Sequence, residues 1–212
     1  NTEKVLKRDN WIIEMKNVIK LLALSCAMAV FSAGADPTPL TLDGSANSSL
    51  IDSVAGDGKG GWVDLGSNDM HVLPSGKQLF AGVQFVIPKA KSENDKHCIV
   101  LGLNRDDDDD VELKVPSSGT KGRNLYLLHA CSGSYKNRDL IGVLELKYED
   151  GSKEKKSIRF GRDIADWMHP YGGSNAVRAW SEYNHNTQVS LFVSQFAVNP
   201  KKRLAEIEFD GE

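Results

Sequence analysis

The sequence predicts an all-β chain, folded as an antiparallel two-sheet β-sandwich or jelly roll. Three observations carry this prediction. After residue 36, apolar residues recur at every second position, turn-forming glycines and prolines separate these runs, and no amphipathic stretch of helical length interrupts them. Alternation is typical of a strand with one buried and one wet face. Many short strands without intervening helices pair antiparallel.

The alternating segments define the predicted strands in chain order: 79–87, 99–103, 125–129, 144–148, 191–193 and 205–209, with shorter candidates at 111–115 and 155–160. In the first of these we expect Leu79 on the same face as Val83, Phe85 and Ile87. Asp150–Gly151 between two strand patterns predicts a hairpin. Residues 116–119 (PSSG) and Asn199–Pro200 predict breaks between strands.

The chain of 212 residues has a formal net charge of -3 and pI near 6.0, which gives no reason to expect a nucleic-acid partner. Residues 15–35 combine lysines, an apolar run and a small-residue site, which is the pattern of a signal peptide. We therefore expect cleavage after Ala35 and a secreted, periplasmic or cell-surface protein. Residues 1–14 are interpreted as an upstream extension and 36–212 as a single domain without a transmembrane segment.

The cysteines leave two questions open. An exported chain meets oxidising conditions, so Cys98 and Cys131 are candidates for a disulfide, and two buried thiols are the alternative. Cys26 lies in the predicted leader, where lipidation competes with plain secretion. The sequence has no CxxC or HxxxH spacing, so it gives no zinc motif.

The stretch DGKGGWVDLGSND at 57–69 is part of a longer pattern from Leu40 to Ile87, followed by LYLLHAC, LELKYEDGS, DIADW and AVRAW. This pattern resembles galactose-binding-like jelly-roll modules that accompany catalytic domains in secreted bacterial glycoside hydrolases. The resemblance covers nearly all of the chain after residue 36. It implies a non-catalytic carbohydrate-binding or accessory role, with a glycan as ligand and a glycoside hydrolase as a candidate partner.

Sugar rings stack on aromatic faces, and their hydroxyls need polar partners, so a glycan site requires exposed aromatic residues beside polar groups on loops. The candidate ligand contacts are Trp62, His169, Tyr171, Trp180 and His185. Trp62 has an alternative position in the core, where the neighbouring glycines would let the backbone approach another strand closely. The face occupied by Trp180 depends on strand register.

Other conspicuous residues favour structural roles. Trp167 closes the segment DIADW and is interpreted as a core residue, and His129 shares a predicted face with two leucines, which indicates a hydrogen-bonded core histidine. Asp64, Asn68 and Asp69 are candidate ligands for a structural calcium ion, and the alternative is that they cap turns. The five consecutive aspartates at 106–110 favour a solvated tip rather than a calcium loop.

Three function classes follow. The first is the glycan-binding module. The second is a small glycoside hydrolase, which needs two facing carboxylates, and the pairs Asp163/Asp166 and Asp64/Glu182 are its only candidates. The third is a structural or protein-interaction module, which predicts that the indoles of Trp62, Trp167 and Trp180 are all buried.

Overall fold

The computed structural model describes residues 24–25, 27–31, 38–42, 44–58, 61–101, 112–169, 171–185 and 187–211. Within these ranges the chain is all-β and has no helix, as predicted. No helix in this part of the chain is therefore long and apolar enough to cross a bilayer. The strands are β1 (Leu24–Ser25), β2 (Ala27–Phe31), β3 (Thr38–Leu40), β4 (Gly76–Phe80), β5 (Val83–Ile87), β6 (Ile99–Val100), β7 (Glu112–Thr120), β8 (Asn124–His129), β9 (Leu140–Tyr148), β10 (Lys153–Arg159), β11 (Ala176–Asn184), β12 (Thr187–Ala197) and β13 (Leu204–Gly211).

The described strands form two larger sheets and two small ones. The five-stranded sheet has the order β11-β12-β8-β2-β3, and the four-stranded sheet has the order β10-β9-β13-β7. The two-stranded sheets are β4-β5 and β1-β6. Every strand pair in these sheets is antiparallel. This architecture is consistent with a β-sandwich.

One core cluster fills the space between the two larger sheets. Leu125 and Leu127 of β8 meet Leu144 of β9 and Ile207 and Phe209 of β13 in this cluster. All five side chains are buried, and those of each strand lie two residues apart. The alternation read from the sequence therefore gives the correct inward faces of β8, β9 and β13.

A second core cluster covers the opposite face of the five-stranded sheet. Leu128 of β8 and Leu191 and Val193 of β12 pack there with Trp62 and Phe85, which belong to the long 44–75 segment and to β5. The expectation of one wet face is therefore wrong for β8 and β12. Because a third layer, made of residues 44–58 and 61–75 and the β4-β5 hairpin, covers the sheet, consecutive residues of these strands are buried.

The outward face of the four-stranded sheet is charged. The Lys147 ammonium on β9 lies 3.2 Å from a carboxylate oxygen of Glu206 and also contacts Glu208, both on β13. Glu145 on the same face pairs with Lys153 of β10 at 2.6 Å. Cross-strand ion pairs of this kind keep a sheet face solvated and contribute little stability.

The first predicted strand is in fact a hairpin. Ala81 and Gly82 both have positive φ, 49° and 79°, and form a tight turn between β4 and β5. The turn shifts the inward-facing position of β4 from Leu79 to Phe80, so Leu79 is 72% exposed while Phe80 is buried. The prediction for Leu79 is wrong because a positive-φ turn resets the alternation, whereas Val83, Phe85 and Ile87 are buried as expected.

Two turn predictions have different outcomes. Asp150–Gly151 does lie at a hairpin, where β9 and β10 pair from Lys147 and Lys153 onward. By contrast, β7 continues through Pro116 to Thr120 instead of ending at Pro116. A proline is tolerated there because β7 is the last strand of its sheet, so one side of its backbone needs no ladder hydrogen bond.

The predicted leader overlaps two strands. β1 lies at Leu24–Ser25, and β2 lies at Ala27–Phe31 between β8 and β3. Cleavage after Ala35 would remove both strands, leave β8 with an open edge and take away the partner of β3. Cleavage stays a prediction, and so does the interpretation of residues 1–14, which lie outside the described residues together with the aspartate run at 106–110 and Cys26.

Candidate functional site

Trp62 lies in the core. Its side chain has 0% exposure and contacts the Trp167 ring edge-on, with 5.2 Å between ring centroids and 84° between planes. The preceding Gly61 makes this position accessible, because a Cβ there would lie 2.4 Å from the Ile51 carbonyl oxygen. The ring cannot reach a surface ligand, so the ligand-contact prediction for Trp62 does not hold, and the core alternative does. Trp167 is also fully buried, as expected.

Asp64 organises the glycine loop before it. Its carboxylate accepts hydrogen bonds from the backbone N–H groups of Gly56 at 2.7 Å, Asp57 at 3.2 Å and Gly58 at 3.0 Å. Gly56 and Gly58 both adopt positive φ, which turns successive N–H groups toward one acceptor. This geometry matches the turn-capping alternative for Asp64.

Asp69 connects the same segment to β11. It is 1% exposed, and its carboxylate accepts hydrogen bonds from the backbone N–H groups of Asp52 at 2.7 Å and His71 at 2.8 Å. The His71 imidazole Nδ1 also contacts this carboxylate. At the end of β11, the buried Asn184 side chain donates through Nδ2 to the Asp69 carbonyl oxygen. Asp69 is therefore held by the backbone and by two side chains.

Asp52 completes this acidic segment. It is 4% exposed, and it accepts hydrogen bonds from Gly66 N at 2.6 Å and from Val54 N at 3.3 Å. Burial raises the pKa of Asp52, and the neighbouring Asp64 carboxylate raises it further, while the two backbone donors act in the opposite direction. The segment thus holds its carboxylates with N–H groups.

The described residues around Asp64, Asn68 and Asp69 form no ready-made cage for a calcium ion. The carboxylate oxygens of Asp64 and Asp69 already accept N–H groups, and Asn68 is only half-buried. Within the described ranges, no group of three or more histidine, cysteine, aspartate or glutamate side chains is placed to hold a metal ion. Calcium binding stays a prediction that a titration tests.

The remaining candidate residues lie along β11, an edge strand of the five-stranded sheet. Trp180 is half-buried against the second core cluster, whereas His185 is exposed at the tip of the β11-β12 hairpin. Tyr171 is 80% exposed in the loop before β11, and Tyr183, near the strand end, is 63% exposed. His169 is exposed, and its Nδ1 lies 3.0 Å from Asp166 Oδ1. We call this set of five residues the β11 edge.

The approach to β11 depends on two glycines. A Cβ at Gly172 would lie 2.0 Å from the Ala176 carbonyl oxygen, and one at Gly173 would lie 2.5 Å from the Arg162 carbonyl oxygen. The backbone therefore passes directly over the start of β11. This close approach places Tyr171 next to the strand.

The residues of the β11 edge do not converge on one point. Tyr171 precedes the strand and His185 follows it, and nine residues of strand span roughly 27 Å. In addition, Trp180 is opposite Leu191 and Tyr183 is opposite Gln188, so the two rings lie on opposite faces of the sheet. The β11 edge is an extended surface rather than a pocket.

The buried polar residues beside β11 form a network of their own. The His129 imidazole Nε2 lies 2.7 Å from Ser194 Oγ and 3.0 Å from the Asp163 carbonyl oxygen, which also accepts a hydrogen bond from the Ser194 hydroxyl. Asp163 is 2% exposed, and its carboxylate accepts hydrogen bonds from Arg162 Nε at 2.7 Å and Asn175 Nδ2 at 3.0 Å. The core role predicted for His129 is confirmed.

Cys98 and Cys131 are both buried and are not joined in a disulfide. They belong to different core clusters. Cys98 Sγ donates to the Ser48 carbonyl oxygen at 3.3 Å. Burial raises the pKa of the Cys131 thiol, and the Asp166 carboxylate adds to this effect. Of the two alternatives that the sequence left open, the structure shows buried thiols.

The sequence gives no sign of two concave features. One is a groove between β3 and the end of β5, and the other is a small cavity of about 130 Å³ beside His71, Ser75 and Lys89. Each is lined by residues from separate parts of the chain, so no local motif could have revealed it. Comparisons with protein-family models, with curated proteins and with solved structures found no match. The family resemblance therefore stays a prediction.

Proposed function

We propose that the chain is a secreted, non-catalytic carbohydrate-binding module with a galactose-binding-like jelly-roll fold, which binds a glycan weakly along the β11 edge. One observation carries this proposal: the predicted ligand residues that remain accessible, His169, Tyr171, Trp180 and His185, all lie on β11 or its flanks, together with Tyr183. Exposed rings beside imidazoles supply both the stacking surface and the polar partners that a saccharide needs.

An open edge of this kind predicts weak binding. An extended surface immobilises few groups of the ligand, and sugar hydroxyls give up water contacts that the protein replaces only in part. Linkage to a glycoside hydrolase, or several copies on one glycan, would raise the effective affinity without new contacts. The proposed partner is therefore a polysaccharide-degrading enzyme or the polysaccharide itself.

The engagement of the candidate acids supports a non-catalytic role. The Asp163 carboxylate is occupied by the Arg162 guanidinium, by Asn175 and by the Arg159 backbone N–H, and Asp64 holds the glycine loop. A glycoside hydrolase needs one carboxylic acid with a raised pKa facing a second carboxylate across a cleft. These two aspartates instead have structural partners.

A protein-interaction module is the second candidate, and two observations favour it. Trp62 and Trp167 are fully buried, as that function class predicts, and Val177 on the β11 edge strand is 57% exposed. Edge strands with exposed apolar residues can accept a strand from another protein. However, the register of β11 shifts between Arg178 and Trp180, and such a bulge hinders regular strand addition.

A glycan-array screen followed by calorimetry separates the two candidates. We expect a retained glycan whose affinity falls about tenfold in Tyr183→Ala or Tyr171→Ala, because one stacked ring contributes about 1 kcal/mol or more. Leu79→Ala is the matched control, since Leu79 is similarly exposed but lies on the β4-β5 hairpin, outside the β11 edge. The proposal is contradicted if the chain binds no glycan, or if neither tyrosine substitution changes the affinity for the glycan.

The export part of the proposal has a separate test. Intact-mass analysis of chain recovered from the periplasm or medium gives its first residue directly. A start at Asp36 supports the signal peptide. A folded exported chain that retains β1 and β2 would show instead that residues 24–31 belong to the mature sheet, as their pairing with β8, β3 and β6 suggests.

A further inference from the structure

A groove of about 360 Å³ opens between the segment that follows β3 and the end of β5. Its walls are almost entirely aliphatic and are formed by Pro39, Leu40, Leu42, Ala46, Val86 and Pro88. The volume falls within the range of small-molecule sites in proteins. We call this feature the β3–β5 groove.

The strand geometry explains why these apolar walls face outward. On β5, Phe85 and Ile87 face the core, so the intervening Val86 points away from it and remains 44% exposed. Pro39 lies on the edge strand β3, and Pro88 directly follows β5. Both prolines lack an N–H group and have a fixed φ, so they give the groove rigid walls with few hydrogen-bond donors.

Two basic residues complete the lining. Lys96 and His97 are consecutive, so they bring an ammonium and an imidazole to one part of the groove. Among the described residues, none of those that line the groove carries a carboxylate. The carboxylate of the adjacent Asp95 accepts the backbone N–H groups of Lys91 at 2.8 Å and Ser92 at 3.1 Å. These hydrogen bonds lower the pKa of Asp95, and the nearby His97 adds to the effect. The exposed Lys96 is therefore the cationic group that the described lining offers to a ligand.

We propose that the β3–β5 groove binds a small amphiphilic anion, with an aliphatic or aromatic body against the proline and leucine walls and a carboxylate or sulfonate beside Lys96. The combination of apolar walls with cationic groups at one place is what such a ligand requires. Saccharides are a poor match because, within the part of the lining that the structure describes, Thr41 supplies the only hydroxyl and there is no aromatic ring.

This site is independent of the proposed glycan surface. β3 and β11 are the two edge strands of the five-stranded sheet, and three strands separate them. No residue of the β11 edge lines the groove. Variants of the β11 edge therefore do not touch the groove, and each proposal has its own variants. The groove is tested on chain that retains residues 24–31, because β2 is the partner of β3, which carries Pro39 and Leu40.

The test titrates the folded chain with the anionic dye 8-anilinonaphthalene-1-sulfonate and with the neutral dye N-phenyl-1-naphthylamine. We expect the anionic dye to bind at one saturable site. Octanoate should displace the dye, and octanol should do so at least about tenfold less effectively. Lys96→Gln should weaken the anionic dye about fivefold and leave the neutral dye within about twofold.

Two groove variants and one control locate the site. Val86→Asp places a carboxylate in the lining at a position that is already partly exposed, and Ala46→Trp fills the groove with a ring. We expect both to reduce binding of the anionic dye at least about tenfold. Leu79→Asp changes an exposed residue on the same hairpin outside the groove and should leave binding unchanged.

Thermal unfolding of each variant shows whether it is folded, and Val86→Asp provides the answer if Ala46→Trp does not fold. Binding that is equal in Val86→Asp and the unchanged chain would overturn the proposal. So would equal affinity for the two dyes, because the cationic groups would then play no part.

Discussion

Replacing Trp62 separates a core role from a ligand-contact role. Its ring is fully buried and packs edge-on against Trp167, so truncation to alanine leaves a large cavity. We expect Trp62→Ala to lower the free energy of unfolding by about 3–5 kcal/mol, which is typical when a large buried aromatic side chain is replaced by alanine. In a domain of this size, that loss lowers Tm by about 10 °C.

Trp62→Phe should cost much less. The phenyl ring keeps most of the packing, and the change removes an indole N–H that has no acceptor among the described residues. A buried donor without a partner costs about 1–3 kcal/mol, which offsets part of the lost volume. We therefore expect Trp62→Phe to lower the free energy of unfolding by less than about 2 kcal/mol.

Urea unfolding followed by circular dichroism measures both variants, because the shift in midpoint multiplied by the slope gives the change in free energy. A double-mutant cycle with Trp167→Ala should show a coupling of about 0.5–1.5 kcal/mol for the ring pair. A loss below about 1 kcal/mol in Trp62→Ala would refute the core placement. So would a folded Trp62→Phe that lost glycan binding.

Three further predictions concern the loop and the buried polar residues. Gly61→Ala should lower the free energy of unfolding by about 1–3 kcal/mol, because the new Cβ would meet the Ile51 carbonyl. Gly58→Ala has open space but a φ of 75°, and it should lower the free energy of unfolding by about 1 kcal/mol. Urea titration measures both changes. Asp64→Ala should lower Tm by the same amount in calcium and in chelator, because the Asp64 carboxylate holds backbone N–H groups. If calcium raises the Tm of the unchanged chain but not that of Asp64→Ala, this prediction is contradicted. Burial lowers the pKa of His129 from 6.5 to about 4, so the folded state keeps it neutral while the unfolded state binds a proton. Roughly 3 kcal/mol of stability is therefore lost as pH falls from 6.5 to 4, and His129→Gln should flatten that part of the pH profile.

The sequence predicts most inward faces correctly wherever a single alternating run is also a single strand. β8, β9 and β13 are examples, because each has one register and no internal turn. The error at Leu79 has a physical cause: the turn includes Ala81, which adopts a positive φ that residues other than glycine rarely adopt, so Gly82 alone marked it in the sequence. Alternation also cannot reveal that both faces of β8 are covered, because the covering layer comes from residues far along the chain.

The candidate site could be predicted only in part. Tyr171 and His185 are exposed as the lack of apolar pattern around them indicated, and Trp62 took the position that the sequence offered as the alternative. The face of Trp180 was undetermined because it depends on register, and the bulge after Arg178 decides it. The β3–β5 groove had no signal, since its walls are brought together only by folding.

The glycine-rich segment 57–69 owes its composition to its place in the third layer. A loop that covers a sheet face must bury an apolar anchor and still satisfy its own backbone N–H groups. Trp62 is that anchor, and Asp64 and Asp69 of the segment supply acceptors, together with Asp52 just before it. These aspartates and the tryptophan are therefore engaged within the protein.

The same layering restricts where a ligand can bind. Core clusters cover both faces of the five-stranded sheet, and cross-strand ion pairs occupy the outward face of the four-stranded sheet. Among the described strands, β3 and β11 are the edges of the five-stranded sheet. One edge carries exposed rings and imidazoles, and the other borders an aliphatic groove with two basic residues. Because their chemistry differs, the two edges should select different ligands, so a substitution at one should leave binding at the other unchanged.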